Sequence, residues 1–279
     1  MSNEECGGVC GTEPACEGCG SAPNKMQDLR KPTHELNDIK KVIGVISGKG
    51  GVGKSLVSAL LAVALRRKGY NVGVLDADIT GPSVPCMFGI HKQAVPGEKG
   101  LYPQKTHNDI EVMSINLLLE DEETPVIWRG PLIGDVVRQF WTDVIWGQLD
   151  FLILDMPPGT GDVPLTVFQT IALDGVILVT SPQDLVNMVV KKAYNMARTM
   201  EVPVLGVIEN MSYYECGGCG KRVELFGKSR IDEIAAGMGT QALARIPVDP
   251  DLSALSDAGR LEAANVDALA GAIKMLEDL

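Results

Sequence analysis

The sequence predicts a three-layer α/β fold, a mostly parallel, doubly wound sheet with helices on both faces. Three observations carry that reading. Short apolar runs alternate with stretches of helical spacing along most of the chain. Most of those runs are apolar throughout, as strands buried on both faces are. A glycine-rich turn joins the first run to the first helical stretch.

Taken in order, residues 1–25 are glycine, cysteine, proline and small polar residues with almost no large apolar side chain. They cannot form a core alone and read as a flexible tail unless metal orders them. Residues 26–40 are mixed and charged, a short helix and linker. A single domain is expected over 41–279. Its strands are Val42–Ser47, Val72–Asp76, Ile110–Leu118, Phe151–Asp155, Val176–Thr180 and Val204–Ile208. Its helices are Leu56–Lys68 (stopped by Gly69), Pro131–Trp146, Val163–Leu173, Asp184–Met200, Ser229–Gly237 and Leu261–Leu279. There is no internal repeat and no second core.

Composition excludes several classes. With 25 Lys+Arg against 36 Asp+Glu, the net charge is -11. That argues against general affinity for nucleic acid or anionic lipid, because like charges repel phosphate. Apolar residues at 45% exclude a wholly disordered chain. No stretch reaches ~18 uncharged apolar residues, so no membrane span is expected. The start Met1-Ser2-Asn3-Glu4-Glu5 lacks a basic and then apolar leader, which points to the cytoplasm. Cysteines there stay reduced. Six of the seven fall in two tight groups, a pattern that points to metal.

Gly48-Lys49-Gly50-Gly51-Val52-Gly53-Lys54-Ser55 fits G-x-x-x-x-G-K-S/T between a strand and a helix, the context this phosphate-binding loop requires. Its glycines let backbone N–H groups converge on phosphate oxygens, and the helix N-terminus adds its positive end. Lys54 is expected to reach the β- and γ-phosphates and Ser55 to hold Mg²⁺. Phe151–Asp155 supplies the partner, an apolar strand ending in a carboxylate that orients the Mg²⁺ shell. Gly159, in the turn Met156-Pro157-Pro158-Gly159-Thr160-Gly161-Asp162, could bring its N–H to the γ-phosphate. Asp76 and Asp78 end another strand. Asp78 is expected to position the attacking water or a Mg²⁺-bound water, and Asp76 to be structural.

Cys216-Gly217-Gly218-Cys219 lies in a loop, where two thiolates separated by two small residues can face one metal. They supply half of a four-thiolate set, and a two-fold dimer could supply the other half. A thioredoxin-type pair lacks its usual context before a helix. In the tail, Cys6, Cys10, Cys16 and Cys19 could wrap one cluster or one zinc, or remain reactive thiols. Cys86 reads as a buried small side chain. His34, His91 and His107 read as surface residues, and the stripe from Val136 to Ile145 as packing.

With these residues in view, the chain resembles a known family. Lys49, the extra lysine of the phosphate loop, marks the deviant loop of MinD/ParA-like ATPases, the SIMIBI class of P-loop NTPases. The stretches Asp76-Ala77-Asp78-Ile79-Thr80-Gly81-Pro82-Ser83, Trp128-Arg129-Gly130-Pro131, Asp155 to Asp162, Glu209-Asn210-Met211-Ser212 and the Cys216–Cys219 pair further resemble the Mrp branch. That branch comprises ATP-dependent iron–sulfur carriers, ApbC among them. The likeness runs over nearly all of residues 40–260.

The resemblance implies a homodimer that sandwiches two ATP molecules, with Lys49 crossing to the other subunit's nucleotide. It implies nucleotide contacts from Gly48, Lys49, Gly50, Gly51, Val52, Gly53, Lys54, Ser55, Leu56 and Gly159. Asn210 would read adenine, with Pro247 and Asp249 closing the base pocket. Lys49, Lys54 and Asp78 would be catalytic, and Ser55, Asp78 and Asp155 would serve Mg²⁺. A 4Fe–4S cluster would bridge Cys216 and Cys219 of two subunits, to be received from cluster-assembly factors and passed to apo iron–sulfur proteins. Eukaryotic relatives bear an N-terminal four-cysteine cluster site, whose outer spacing is longer than in this tail. Zinc is the competing metal, since a related branch that delivers tail-anchored membrane proteins holds Zn²⁺ across a dimer with a similar pair. The alternative classes are a DNA- or membrane-bound positioning ATPase and a zinc-bridged targeting factor. The charge and the absence of a basic terminal helix oppose the first, and the absence of a Met-rich helical insertion opposes the second.

Overall fold

The computed structural model describes residues 30–78, 81, 83–119, 130–183 and 186–279, without the side chains of 130–133 and 186–188. Cys6, Cys10, Cys16 and Cys19, with Trp128, Arg129, Ile79, Thr80 and Pro82 of the family-like stretches, lie outside the described residues.

The elements in chain order are β1 (Asp38–Ser47), α1 (Lys54–Arg67), β2 (Val72–Asp76), α2 (Val84–Met87), β3 (Val95–Pro96), β4 (Leu101–Tyr102), β5 (Gln104–Lys105) and β6 (Glu111–Ser114). There follow α3 (Gly130–Thr142), β7 (Gln148–Asp155), α4 (Asp162–Thr170), β8 (Gly175–Thr180), α5 (Val186–Thr199) and β9 (Val204–Glu209). The chain closes with β10 (Tyr214–Glu215), β11 (Arg222–Val223), α6 (Ile231–Gly237), β12 (Ala242–Arg245), α7 (Pro250–Asp257) and α8 (Ala270–Glu277).

Among the described residues the main sheet has eight strands in the order β12-β9-β8-β1-β7-β2-β6-β5. All neighbours are parallel except β5, which runs antiparallel to β6. From β1 the chain winds out one way through β2 and the other way through β8 and β9. Right-handed crossovers therefore place α1 and α5 on opposite faces. The reversal at β1 opens a crevice at the C-terminal strand ends, where ligands of such sheets bind. The central strands are buried along nearly their whole length, with Ile43, Leu152, Ile153, Val74 and Ile177 fully inaccessible.

Several boundaries differ from the sequence reading, each for a local reason. β1 starts at Asp38 because Asp38 and Ile39 already pair with Gln148 and Leu149 of β7, in the register that continues to Val45 and Asp155. The segment before it is not helical over 30–37. It is tied to the body by Trp141 Nε1 donating to Lys31 O at 2.7 Å and Thr33 Oγ donating to Trp141 O at 3.1 Å. The run Ile110–Leu118 is strand only to Ser114 and then a 3-10 turn, Ile115–Leu118.

The helix expected over Leu261–Leu279 is broken into 3-10 turns at Leu261–Ala263 and Asp267–Leu269 before α8. Asn265 Oδ1 accepts from Asp267 N at 2.8 Å, an Asx turn that restarts the chain. α3 ends at Thr142, yet Val137, Phe140, Trp141 and Val144 are buried as that stripe predicts. Cys86 is exposed rather than buried, because the one-turn helix α2 turns Val84 and Pro85 inward instead.

No described helix is long and apolar enough to cross a membrane. The buried sheet sets the stability. Leu152→Ala is expected to cost ~2–5 kcal/mol. Leu225→Ala, at an exposed site, is expected to stay within about 0.5 kcal/mol. Urea titration of the two variants checks the contrast.

Candidate nucleotide and thiolate site

The C-terminal ends of β1, β7 and β2 bring the phosphate loop and two carboxylates together. The loop runs from Ser47 to the N-terminus of α1 at Lys54. Gly53 precedes the helix with φ 78, a left-handed conformation that favours glycine. A Cβ there would also collide with Asn210 Nδ2, and one on Gly48 would collide with Val189 O of α5. The first turn of α1 has no acidic residue, so its free N–H groups and positive dipole end favour an anion.

Asp155 ends β7 with no exposed side-chain surface. Lys54 Nζ lies 2.7 Å from Oδ1, Ser55 Oγ donates to Oδ2 at 2.5 Å and Ser58 Oγ donates to Oδ1 at 2.7 Å. Ser58 is a member of this cluster that the sequence does not point to. Its only signal is a hydroxyl inside the apolar run of α1, one turn beyond Lys54. The loop lysine, the loop serine and the strand carboxylate thus meet in one cluster, buried at Lys54 and Asp155 and half-buried at Ser55.

Asp76 is the register partner of Asp155 across β2 and β7. It is fully buried and accepts from the N–H groups of Asp78, Ser83 and Val84 at 3.1–3.3 Å, and from Ser114 Oγ at 3.3 Å. Burial, and then the neighbouring Asp155 charge, push its pKa up to about 8. Asp78 is half-buried, two residues beyond.

Lys49 is partly exposed, and its Nζ donates to Gln183 Oε1 at 2.8 Å in its own chain. Gly159, with φ 88, donates its N–H to Ser47 O at 2.9 Å and so ties its loop to the end of β1. Asn210 is buried beside the loop. Its Nδ2 donates to Val52 O at 3.0 Å, and its Oδ1 accepts from Met211 N at 2.9 Å. Asp249 caps α7, its Oδ1 accepting from Asp251 N at 2.9 Å ahead of Pro250. Pro247 is half-buried two residues earlier, and Leu56 packs on the core.

Cys216 and Cys219 occupy the tip of the hairpin β10–β11. Cys216 N donates to Lys221 O at 3.0 Å, and Gly220 N donates to Cys216 O at 2.8 Å with Gly220 at φ 67. Both thiols are free. Cys216 is half-buried and Cys219 exposed. The N–H groups of Gly218 and Cys219, together with the Cys219 thiol, lower the Cys216 pKa. The loop is therefore arranged to stabilise a thiolate, the form that binds metal. No group of three or more His, Cys, Asp or Glu suited to a metal occurs among the described residues. In donor chemistry the pair fits half of a tetrathiolate site.

Comparison with known proteins agrees with this geometry. Residues 38–277 match the ParA model described as NUBPL iron-transfer P-loop NTPase. The chain belongs to this family. An iron–sulfur cluster carrier protein of Methanocaldococcus jannaschii is 45% identical over 258 residues, 91% of this chain and 89% of the relative. A nucleotide-binding protein of Archaeoglobus fulgidus, solved in complex with ADP, is 46% identical and superposes with a TM-score of 0.73 over 81% of this chain and 88% of its own. The cell division ATPase MinD of Pyrococcus furiosus, at 20% identity, shares the fold, with a TM-score of 0.59 over 86% and 99% of the two chains. The family and its MinD-like, mostly parallel fold are thus those the sequence resembled.

The shifted Asp76 makes stability depend on pH. Its folded pKa of about 8 lies above its ordinary 3.8, so its stabilising contribution is complete below about pH 4 and is lost as pH rises towards 8. Without nucleotide, the wild-type chain is expected to lose stability across this window more steeply than Asp76→Asn, by at most ~1.4 kcal/mol per pH unit. Urea titrations from pH 5 to 8 read this, and parallel slopes for the two proteins would refute it.

Proposed function

We propose that the chain is an ATP-hydrolysing iron–sulfur carrier that works as a cytoplasmic homodimer. It takes 4Fe–4S clusters from assembly factors and passes them to apo-proteins. One observation supports this above the others: a complete phosphate loop and a two-thiol hairpin with a lowered Cys216 pKa lie in one chain of an iron-transfer NTPase family. The cluster is cargo, held between Cys216 and Cys219 of two copies. The tail cysteines Cys6, Cys10, Cys16 and Cys19 form a second site on this reading.

The residues divide the work as follows. Backbone N–H groups from Gly48 to Ser55, with Leu56 in the first turn of α1, receive the triphosphate. Lys54 exchanges Asp155 for the β- and γ-phosphates as nucleotide enters. Ser55, Asp155 and Asp78 would present the oxygen donors that Mg²⁺ prefers. Mg²⁺ supplies charge neutralisation on the phosphate oxygens when bound. Asp78 orients the attacking water. Lys49 leaves Gln183 to reach the nucleotide of the partner subunit, adding positive charge where the transition state is most negative. Gly159 releases Ser47 O to meet the γ-phosphate. Asn210, Pro247 and Asp249 line the base pocket.

Zinc shared by the same two thiols is the second reading, because the hairpin's N–H to sulfur bonds serve a zinc thiolate equally well. Anaerobic reconstitution separates the two. Brown protein with iron and sulfide in equal amounts supports the carrier, and colourless protein holding only zinc overturns it. Cys216→Ser/Cys219→Ser is expected to lose the bridging iron and sulfide. Removing residues 1–25 is expected to lose only the tail complement. Lys54→Ala is expected to keep its iron yet lose ATP-dependent transfer to an apo-protein by about tenfold or more. Transfer at the wild-type rate would refute the coupling.

A further inference from the structure

The turn after β9 joins the two motifs directly. Asn210 is bonded to the phosphate loop at Val52 O, and Cys216 follows six residues later. Between them the chain is pinned at almost every step. Met211 stands at φ 55, in the left-handed region, and its N–H is held by Asn210 Oδ1 at 2.9 Å. Ser212 Oγ donates to the buried Glu209 Oε2 at 2.5 Å, and Ser212 N donates to Ile246 O at 2.9 Å. Val248 N donates to Tyr213 O at 2.7 Å. Tyr214 then opens the short hairpin that carries both cysteines.

We propose that residues 209–216 form a coupling strut that reports nucleotide at the phosphate loop to the thiol pair. The proposal rests on the roles given above to Asn210 and the cysteines. Asn210 has one carboxamide to share between the loop, Met211 N and a nucleotide. A base that engages this carboxamide, or a phosphate that shifts Val52, draws Oδ1 from Met211 N. Met211 then relaxes out of its left-handed conformation, which a side chain adopts only at a cost.

Glu209 and Ser212 are positioning residues. Their bond fixes the strand end and the turn, so the rotation at Met211 passes forward to Tyr213 and Tyr214. The hairpin beyond is exposed and joined by only two residue pairs, so it follows. Its movement changes how far Cys216, half-buried at the hairpin tip, is open to a reagent.

The test needs no iron. The reduced, metal-free full chain is pulsed with N-ethylmaleimide, with and without Mg–ATPγS, and alkylation is read at each cysteine by mass spectrometry. In the wild type, nucleotide is expected to change the Cys216 rate by about fivefold or more. Met211→Gly removes the left-handed strain without removing a bond. It is expected to bind nucleotide within about twofold of wild type and to lose the thiol response to under about twofold. Ser212→Ala is expected to lose the response likewise, and Met211→Gly decides the matter if that variant folds poorly.

A wild-type chain that binds nucleotide with no change at Cys216, or a Met211→Gly chain that responds fully, overturns the strut. Iron loading is measured separately. A chain that responds but holds no iron upholds the strut and overturns the carrier reading. One that holds iron but does not respond does the reverse.

Discussion

A carboxylate buried at the end of a central strand has to be neutralised by the chain around it, and much of this site follows from how Asp155 meets that requirement. Moving an ion out of water costs several kcal/mol unless partners replace the lost solvation. Here Lys54, Ser55 and Ser58 all turn to one side chain. The phosphate-loop lysine is therefore internally paired, and an incoming triphosphate competes with Asp155 for it. Because β7 lies between β1 and β2, the same carboxylate also faces Asp76, whose pKa is raised first by its burial and then by that second negative charge. Loop, helix N-terminus and both carboxylates are thus one electrostatic unit placed by strand order.

That unit explains how a chain of net charge -11 can be built to take a polyanion. The overall field repels phosphate and gives no steering. Attraction must be local, from fixed N–H groups, the end of α1 and Lys54, all within a turn of one another. Such donors cost little reorganisation when ligand arrives, whereas a diffuse basic surface would also attract nucleic acid.

Much of this was legible in the sequence, and the reasons are physical. Parallel strands buried on both faces are written as unbroken apolar runs, so β1, β2, β7, β8 and β9 could be placed from residues alone. The phosphate loop is legible because glycine spacing and a terminal Lys-Ser are chemical requirements. Elements held by long-range pairing were not legible. β12 is four residues, Ala242–Arg245, and becomes a strand only because β9 lies beside it. Asp249-Pro250 carries a helix-start signal, yet the eight residues of α7 after it have too little apolar periodicity to mark a helix on their own. Ser58 is a serine among alanines and leucines until the fold turns it onto Asp155. Likewise the ties of Asn210 to Val52 and Met211 depend on a turn whose left-handed residue is a methionine, which gives no warning of that conformation.

The cysteine hairpin shows the same dependence on context from the other side. Two thiols on a two-pair ladder have little stability of their own, and an isolated hairpin of this size would be marginal at best. What fixes it is the parallel run of residues 209–214 beside 245–248, bonded through Glu209 O to Ile246 N, Ser212 N to Ile246 O and Tyr213 O to Val248 N. That run begins at the C-terminal end of β9, beside the Asn210 contact with the phosphate loop, and ends two residues before Cys216. On the proposed reading, the chain holds its cargo firmly in one nucleotide state and loosely in another. A weak hairpin on a firmly pinned stalk suits that demand better than a rigid site. On the proposed strut, the free energy separating two hairpin positions need only match a few hydrogen bonds and one strained residue, which lies within the range over which bound nucleotide shifts an equilibrium.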